Sequence, residues 1–426
     1  MRCLFYVRDI RGGQGERNIF HVLLHHIANR YPMIVAYNLP CIPYYGRWED
    51  MYALIATPVE QEMWSFMKAQ LIQDIENMNH GKPVSLLAKW LKKANSSNQS
   101  TKTLGIYTAK KLAYSIYEYK RICSQLRKYI GVTEIKMSAG NWSAISYSSV
   151  PSRAMMTYRS AFSRHDPQRF SAYLNSVSQG QQLIHSATLY PYDIVEKILY
   201  HGARSPVLNA QWEALPNYVA ENCNMLVMAD VSGSMSGRPM ASSIALAAYF
   251  AERNHGPYHN LFMTFSSEPQ VVQLQGRNIF DKVNFISRAG WGLSTDFEAA
   301  MQLVLNIAVR NQCPQNELPK ALICITDMEF NQAYGGNRLC FSQYIKQMFA
   351  SYGYIAPTLV FWNVDSRNDV FHASANTEGV VMVSGQSAST FKNLIHFLNS
   401  GKTLSPMEMM YSVLNSERYE MVQLPE

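Results

Sequence analysis

The run Asp230-Val231-Ser232-Gly233-Ser234-Met235-Ser236-Gly237 follows a short apolar segment and precedes a helical pattern. A hard divalent cation wants oxygen ligands, and a turn after a strand can aim the Asp230 carboxylate and the Ser232 and Ser234 hydroxyls at one point. Two further oxygen donors stand downstream, Thr295 in Leu293-Ser294-Thr295-Asp296 and Asp327 in Ile325-Thr326-Asp327. The five together suit Mg2+, with Mn2+ or Ca2+ as the other hard cations such a set takes. Read alone, Asp-x-Ser-x-Ser could serve only to cap the next helix. The added Thr and Asp favour the metal.

Bringing these residues together requires a particular scaffold. Apolar runs at 225–229, 261–265, 271–274, 321–325, 358–362 and 380–383 read as strands, mostly too apolar to have a wet face, and helical patterns fall at 240–254, 296–311, 341–352 and 388–399. Buried strands alternating with helices predict a mostly parallel sheet covered on both faces. The short gap from Phe265 to Val271 fits only a hairpin, so one edge strand is expected to be antiparallel. In such a sheet the three loops meet at the carboxyl ends of the strands, where ligands bind.

At these residues the chain resembles the von Willebrand factor A domain and its metal-ion-dependent adhesion site. The order of elements over 217–400 fits that domain. The resemblance implies Mg2+ held by Asp230, Ser232, Ser234, Thr295 and Asp327, partly through water, with an Asp or Glu of a protein partner completing the shell. Enzyme readings fare worse. Ser232 stands where a haloacid-dehalogenase-type phosphatase needs a second carboxylate, the serines are out of place for a G-x-S-x-G elbow, and the eleven histidines form no H-E-x-x-H. No general base presents itself for a metal-assisted hydrolase, which stands a distant third.

The first half reads as an irregular helical array. Apolar residues recur at helical spacing over 17–30 (Ile19, Val22, Leu23, Ile27) and 60–77 (Met63, Phe66, Met67, Leu71, Ile75), with further helical stretches near 85–94, 102–128, 152–163, 167–178 and 192–200. No fixed-period repeat is present. Arg8 to Arg17 places a glycine-rich loop before a helix, where backbone N–H groups could hold a phosphate. The alternative is a tight turn with its arginines paired to Asp9 and Glu16. A Walker lysine is absent, which argues against nucleotide hydrolysis.

Ser85 to Lys93, Val150 to Met155 and Leu189 to Val195, with the glycine-rich loop and the Asp230 motif, resemble a poorly characterised intracellular family found in plants, fungi, bacteria and large DNA viruses or phages. Its members join a helical domain to a von Willebrand A-like domain. Sequence usually precedes the R-D-x-R-G-G motif there, so the first helical pair is expected to lack an element. The plan is also similar to that of the Ro ribonucleoprotein (TROVE) proteins, which implies RNA held by a basic helical ring. Residues 1–215 carry 25 basic against 14 acidic side chains, a net +11, and residues 216–426 carry 13 against 17. Arg11, Arg17, Lys89, Lys92, Lys93, Lys110, Lys111, Lys120, Arg121, Arg127 and Lys128 are the candidate phosphate contacts. Tyr107, Tyr114, Tyr117, Tyr119 and Tyr129, interleaved among them, are candidate stacking platforms. On amphipathic helices such cations can also be no more than a solvated face.

With 426 residues, 47% apolar and 16% charged, the chain can bury a sizeable core and is not a disordered segment. Seven scattered cysteines without a C-x-x-C pair point to buried thiols in a reducing compartment. No apolar run approaches the length of a membrane span and no signal-peptide core appears. A cytoplasmic protein, cellular or viral, is expected, and the sequons at Asn95, Asn98 and Asn141 are read as chance matches. Met407, Met409 and Met410 suit core filler or an adaptable docking surface. The fold class is therefore multidomain α and α/β: an all-α domain at 1–215, a Rossmann-like von Willebrand A domain at 216–402 and a tail at 403–426. The function expected first is non-enzymatic, cation-dependent binding of an acidic protein ligand. The alternative is RNA binding by the helical half.

Overall fold

The computed structural model describes residues 1–186, 188–217, 219, 224–266, 268–289, 297–326, 338–364, 380–385, 390, 393–394, 397 and 406–425. They form two compact units, Met1–Ser146 with Met410–Glu426, and Tyr147–Met409.

The first unit is helical: α1 (Arg2–Arg8), α2 (Asn18–Arg30), α3 (Pro32–Tyr37), α4 (Cys41–Tyr45), α5 (Glu60–Asn79), α6 (Leu87–Trp90), α7 (Gln99–Lys111), α8 (Ile116–Ile130) and α9 (Thr133–Ser138). On α5 the apolar spacing buries Met63, Met67 and Leu71, as expected. On α2 the buried stripe is Phe20, Leu24 and Ala28, while Ile19 and Val22 are 54% and 70% exposed. The expected face was therefore misplaced. A helix spaced at three and four residues offers two neighbouring apolar rows here, and only the surrounding helices select one. The expected single helix over 102–128 is broken at Ala113, whose φ is +59°. Ser115 then starts α8 with a capping box, its hydroxyl accepting from Glu118 N–H at 3.2 Å while the Glu118 carboxylate accepts from Ser115 N–H at 3.0 Å.

The R-D-x-R-G-G loop is structural. Gly13 and Gly15 N–H groups donate to the Asp9 carbonyl, Gln14 N–H to Tyr6 and Glu16 N–H to Val7, so these donors are spent inside the turn and hold no phosphate. Nor do its charges pair locally. Arg8 binds the buried Asp50 at 2.8 Å, and Asp9 binds Arg418 and the Tyr419 hydroxyl. Residues 410–426 are thus part of this unit's core rather than a tail. Tyr419 stacks on Tyr45 at 5.3 Å, and Asn38 accepts from and donates to the backbone of Gln423.

The second unit opens with helices α10 (Ser152–His165), α11 (Pro167–Ser178), α12 (Pro191–His201) and α13 (Pro206–Glu213). Its sheet holds β1 (Met225–Ala229), β2 (Leu261–Thr264), β3 (Val271–Gln273), β4 (Ala321–Thr326), β5 (Thr358–Asn363) and β6 (Val380–Ser384), in the order β3-β2-β1-β4-β5-β6. Every pairing is parallel except β2 with the edge strand β3, as the short hairpin gap requires. Successive residues face opposite sides. Val227, Ile323, Val360 and Trp362 pack under α14 (Arg238–Arg253) and α15 (Ile279–Ser287), and Met228, Cys324 and Phe361 pack under α16 (Phe297–Arg310) and α17 (Arg338–Ala350). Burial on both faces explains why these strands carry no polar alternation.

The division between units falls at Ser146, not near 215. The reason is the apolar faces of α10, α12 and α13, which join the core of the sheet through Met156 and the residues that follow. Ile194, Val195, Leu208 and Trp212 share one core with Val227 and Phe250. Composition alone could not show which core those helical residues would join. The helix expected at 388–399 lies largely outside the described residues.

Candidate metal centre

The sheet order reverses between β1 and β4, which sit side by side with Ala229 opposite Ile325. Asp230 follows β1 at this switch point and is 3% exposed. Its backbone N–H still donates to the Ile325 carbonyl at 3.2 Å, so the carboxylate is anchored by the sheet. One carboxylate oxygen accepts from Ser232 N–H at 2.8 Å and the other from the Thr326 hydroxyl at 3.0 Å. The Ser232 and Ser234 hydroxyls lie 3.0 Å apart, Ser234 falling in a short 3-10 turn, Gly233–Met235. Beyond that turn the Tyr200 hydroxyl clamps Gly237, accepting from its N–H at 2.8 Å and donating to its carbonyl at 3.0 Å.

Each carboxylate oxygen can accept more than one hydrogen bond, so this oxygen-only group fits a hard cation or its water shell. Thr295 and Asp327, the other two members of the expected set, lie outside the described residues. Thr326 escaped sequence reasoning. It sits in the quoted Ile325-Thr326-Asp327 run, but only strand register brings its hydroxyl to Asp230. Beneath the site, burial, and then the negative charge of Asp230, push the Cys324 thiol well above its ordinary range. Cys3, Cys41, Cys123, Cys313 and Cys324 are free thiols; four are buried, as expected, and Cys3 is exposed. Among the described residues no helix is long and apolar enough to cross a membrane.

The basic candidates divide. Arg17 and Lys92 both pair with Glu49, Lys111 pairs with Glu60 at 2.9 Å, and Arg127 donates to the Ala88 and Leu91 carbonyls at the end of α6. Lys89 lies 5.7 Å from the centre of the Trp90 ring. Arg11, Lys93, Lys110, Lys120, Arg121 and Lys128 are exposed. Two of the expected stacking tyrosines are committed elsewhere. Tyr119 is buried with its hydroxyl on the Lys92 carbonyl, and Tyr107 donates to Glu60. Burial works to raise Glu60, but Tyr107, the Ala56 N–H, Lys111 and Trp64 bring its carboxyl down to about 2. Tyr117 remains 74% exposed and Tyr129 40%. Part of the basic run is thus spent on internal pairing, and the rest reaches solvent.

Residues 79–225 match a family described as a domain of unknown function, DUF2828, and residues 224–422 match a second, DUF7788. An uncharacterised protein of Acanthamoeba polyphaga mimivirus is 27% identical, over 97% of this chain and 78% of its own length. The crystal structure of the Ro (RSR) protein of Deinococcus radiodurans aligns over 89% of this chain and 94% of that one, at 13% identity and a TM-score of 0.39. The chain therefore joins a segment similar to DUF2828 to one similar to DUF7788, a pairing of two domains of unknown function with a relative in a virus.

Proposed function

We propose that this is a non-enzymatic, divalent-cation-dependent binding protein with a von Willebrand A-like second unit. Asp230, Ser232 and Ser234, joined by Thr295 and Asp327, hold Mg2+, and an acidic side chain of a protein partner completes the shell. The observation that supports this reading is the Asp230 carboxylate fixed at the switch point of a sheet whose central strands are covered on both faces, with two serine hydroxyls beside it. Mg2+ should raise the thermal stability of the full chain, by ~2.7 kcal/mol at a hundred times its Kd. Asp230→Asn keeps the side chain's shape and should abolish that increment, while its melting temperature in chelator stays near that of the wild type. An equal Mg2+ response in both proteins refutes the site.

Charge placement favours a second reading, RNA binding by the helical unit. Residues 1–146 and 410–426 carry 20 Lys and Arg against 13 Asp and Glu, whereas residues 147–409 carry 18 of each. The entire net charge of +7 therefore lies in the first unit. Single-stranded RNA should bind with an affinity whose logarithm falls linearly with log salt, by ~0.7 for each phosphate neutralised. Replacing Lys110, Arg121 and Lys128 by Ala should flatten that slope. A response already flat in the wild type ends this reading.

A further inference from the structure

Arg159, Arg164 and Arg204 line one cleft of about 480 Å3 in the second unit, with Ser160, Ser163 and Ser205 among them. Helical spacing puts Arg159 with Ser163, and Ser160 with Arg164, on neighbouring rows of α10. The chain leaves α12 through Gly202 in the left-handed region, φ +56°, and this turn delivers Arg204 and Ser205 to the start of α13, which packs on α10. No acidic and no aromatic side chain is among the described residues lining the cleft.

Elsewhere in the same unit Arg153 pairs with Asp193 at 3.0 Å, Arg169 with Asp166 at 2.7 Å and Arg238 with Glu196 at 3.7 Å. Arg164 and Arg204 are exposed and have no ion pair or side-chain hydrogen bond among the described residues. Arg159 is half-buried and donates to the Met156 carbonyl. Burial is what lowers its guanidinium below the usual value, with no carboxylate to offset it. Three like charges are thus gathered in a concave surface with hydroxyl donors and no internal anion.

We infer that this cleft binds the phosphate monoester of a phosphorylated serine or threonine side chain. A guanidinium fork matches phosphate oxygens two at a time, and arginine clusters are a recurring means of reading phosphorylated peptides. Nucleotides and RNA fit less well, because none of the described residues lining the cleft offers a ring on which a base could stack. The site is built from α10 and the α12–α13 connection, so it does not depend on the cation reading of Asp230.

The test titrates the full chain with O-phosphoserine and with inorganic phosphate at constant ionic strength, by calorimetry, for the wild type and for an Arg164→Ala, Arg204→Ala double variant. Both arginines are exposed, so the melting temperature and the Mg2+ response of the variant should match the wild type. Saturable phosphoserine binding, weakened at least about tenfold in the double variant, supports the assignment. Absence of binding, or equal binding by both proteins, overturns it. Single-stranded RNA binding that is lost in the double variant and is not displaced by phosphoserine also overturns it, in favour of nucleic acid.

Discussion

Arg418→Ala should cost the helical unit about 3 kcal/mol, at the low end of the range for removing one partner of a buried ion pair. Asp9 is fully buried, and Arg418 meets it with two donors while remaining 29% exposed. Without Arg418 the carboxylate keeps only the Arg11 N–H and the Tyr419 hydroxyl. Asp9→Asn in the same background should restore part of the loss, because it removes the stranded charge.

Acid provides an independent check. Burial works to raise the Asp9 pKa, but Arg418, the Arg11 N–H and Tyr419 outweigh it, so the folded value lies below the ordinary 3.8. A depressed folded value means stability that is present above the unfolded pKa and is lost as pH falls through the folded one. In Arg418→Ala burial prevails, the folded value rises, and protonation relieves the variant. Its deficit should therefore narrow below about pH 4. Calorimetry with amide exchange of α1 and α4 measures both effects. A deficit under about 0.5 kcal/mol at pH 7 would show that the pair carries little of the unit's stability.

Gly13→Ala should be comparably damaging for a steric reason. A Cβ built on Gly13 would lie 1.9 Å from the Tyr6 carbonyl oxygen and 3.0 Å from the Asp9 Cβ. The first is a backbone atom in α1 and cannot rotate away. Relieving the clash would break the Gly13 and Gln14 bonds that close the turn on Asp9 and Tyr6. A loss of about 3 kcal/mol is expected, the upper part of the overpacking range. At Gly12 the added Cβ would instead meet Arg418 Nε at 2.5 Å, a side chain that can move only by giving up its bond to Asp9, so Gly12→Ala should cost no more than Arg418→Ala. The two variants, compared by thermal unfolding, separate backbone contact from side-chain contact. Equal stability of Gly13→Ala and wild type would refute the packing of this loop.

Legible from the residues alone were the strands of the second unit, most of its helices and one corner of its candidate site, whereas α13 and α15 were not expected. The central strands β1, β4 and β5 are buried on both faces, so their apolar runs could be read without knowing their neighbours, whereas the edge strands β3 and β6 are only partly buried; the gap from Phe265 to Val271 was too short for anything but a hairpin. The Asp230 to Ser234 spacing is local to one turn, and it is there that the hydroxyls meet. Tertiary structure decided what depends on residues far apart in the chain. It took α10, α12 and α13 into the α/β core, chose Phe20 and Leu24 over Ile19 and Val22 on α2, and brought Thr326 to Asp230. It also sent Asp9 to Arg418 across 409 positions rather than to the arginines beside it in the loop. Helical periodicity and charge balance report how a segment is made, whereas a buried carboxylate takes whichever donor the packed fold brings to it, at any separation along the chain.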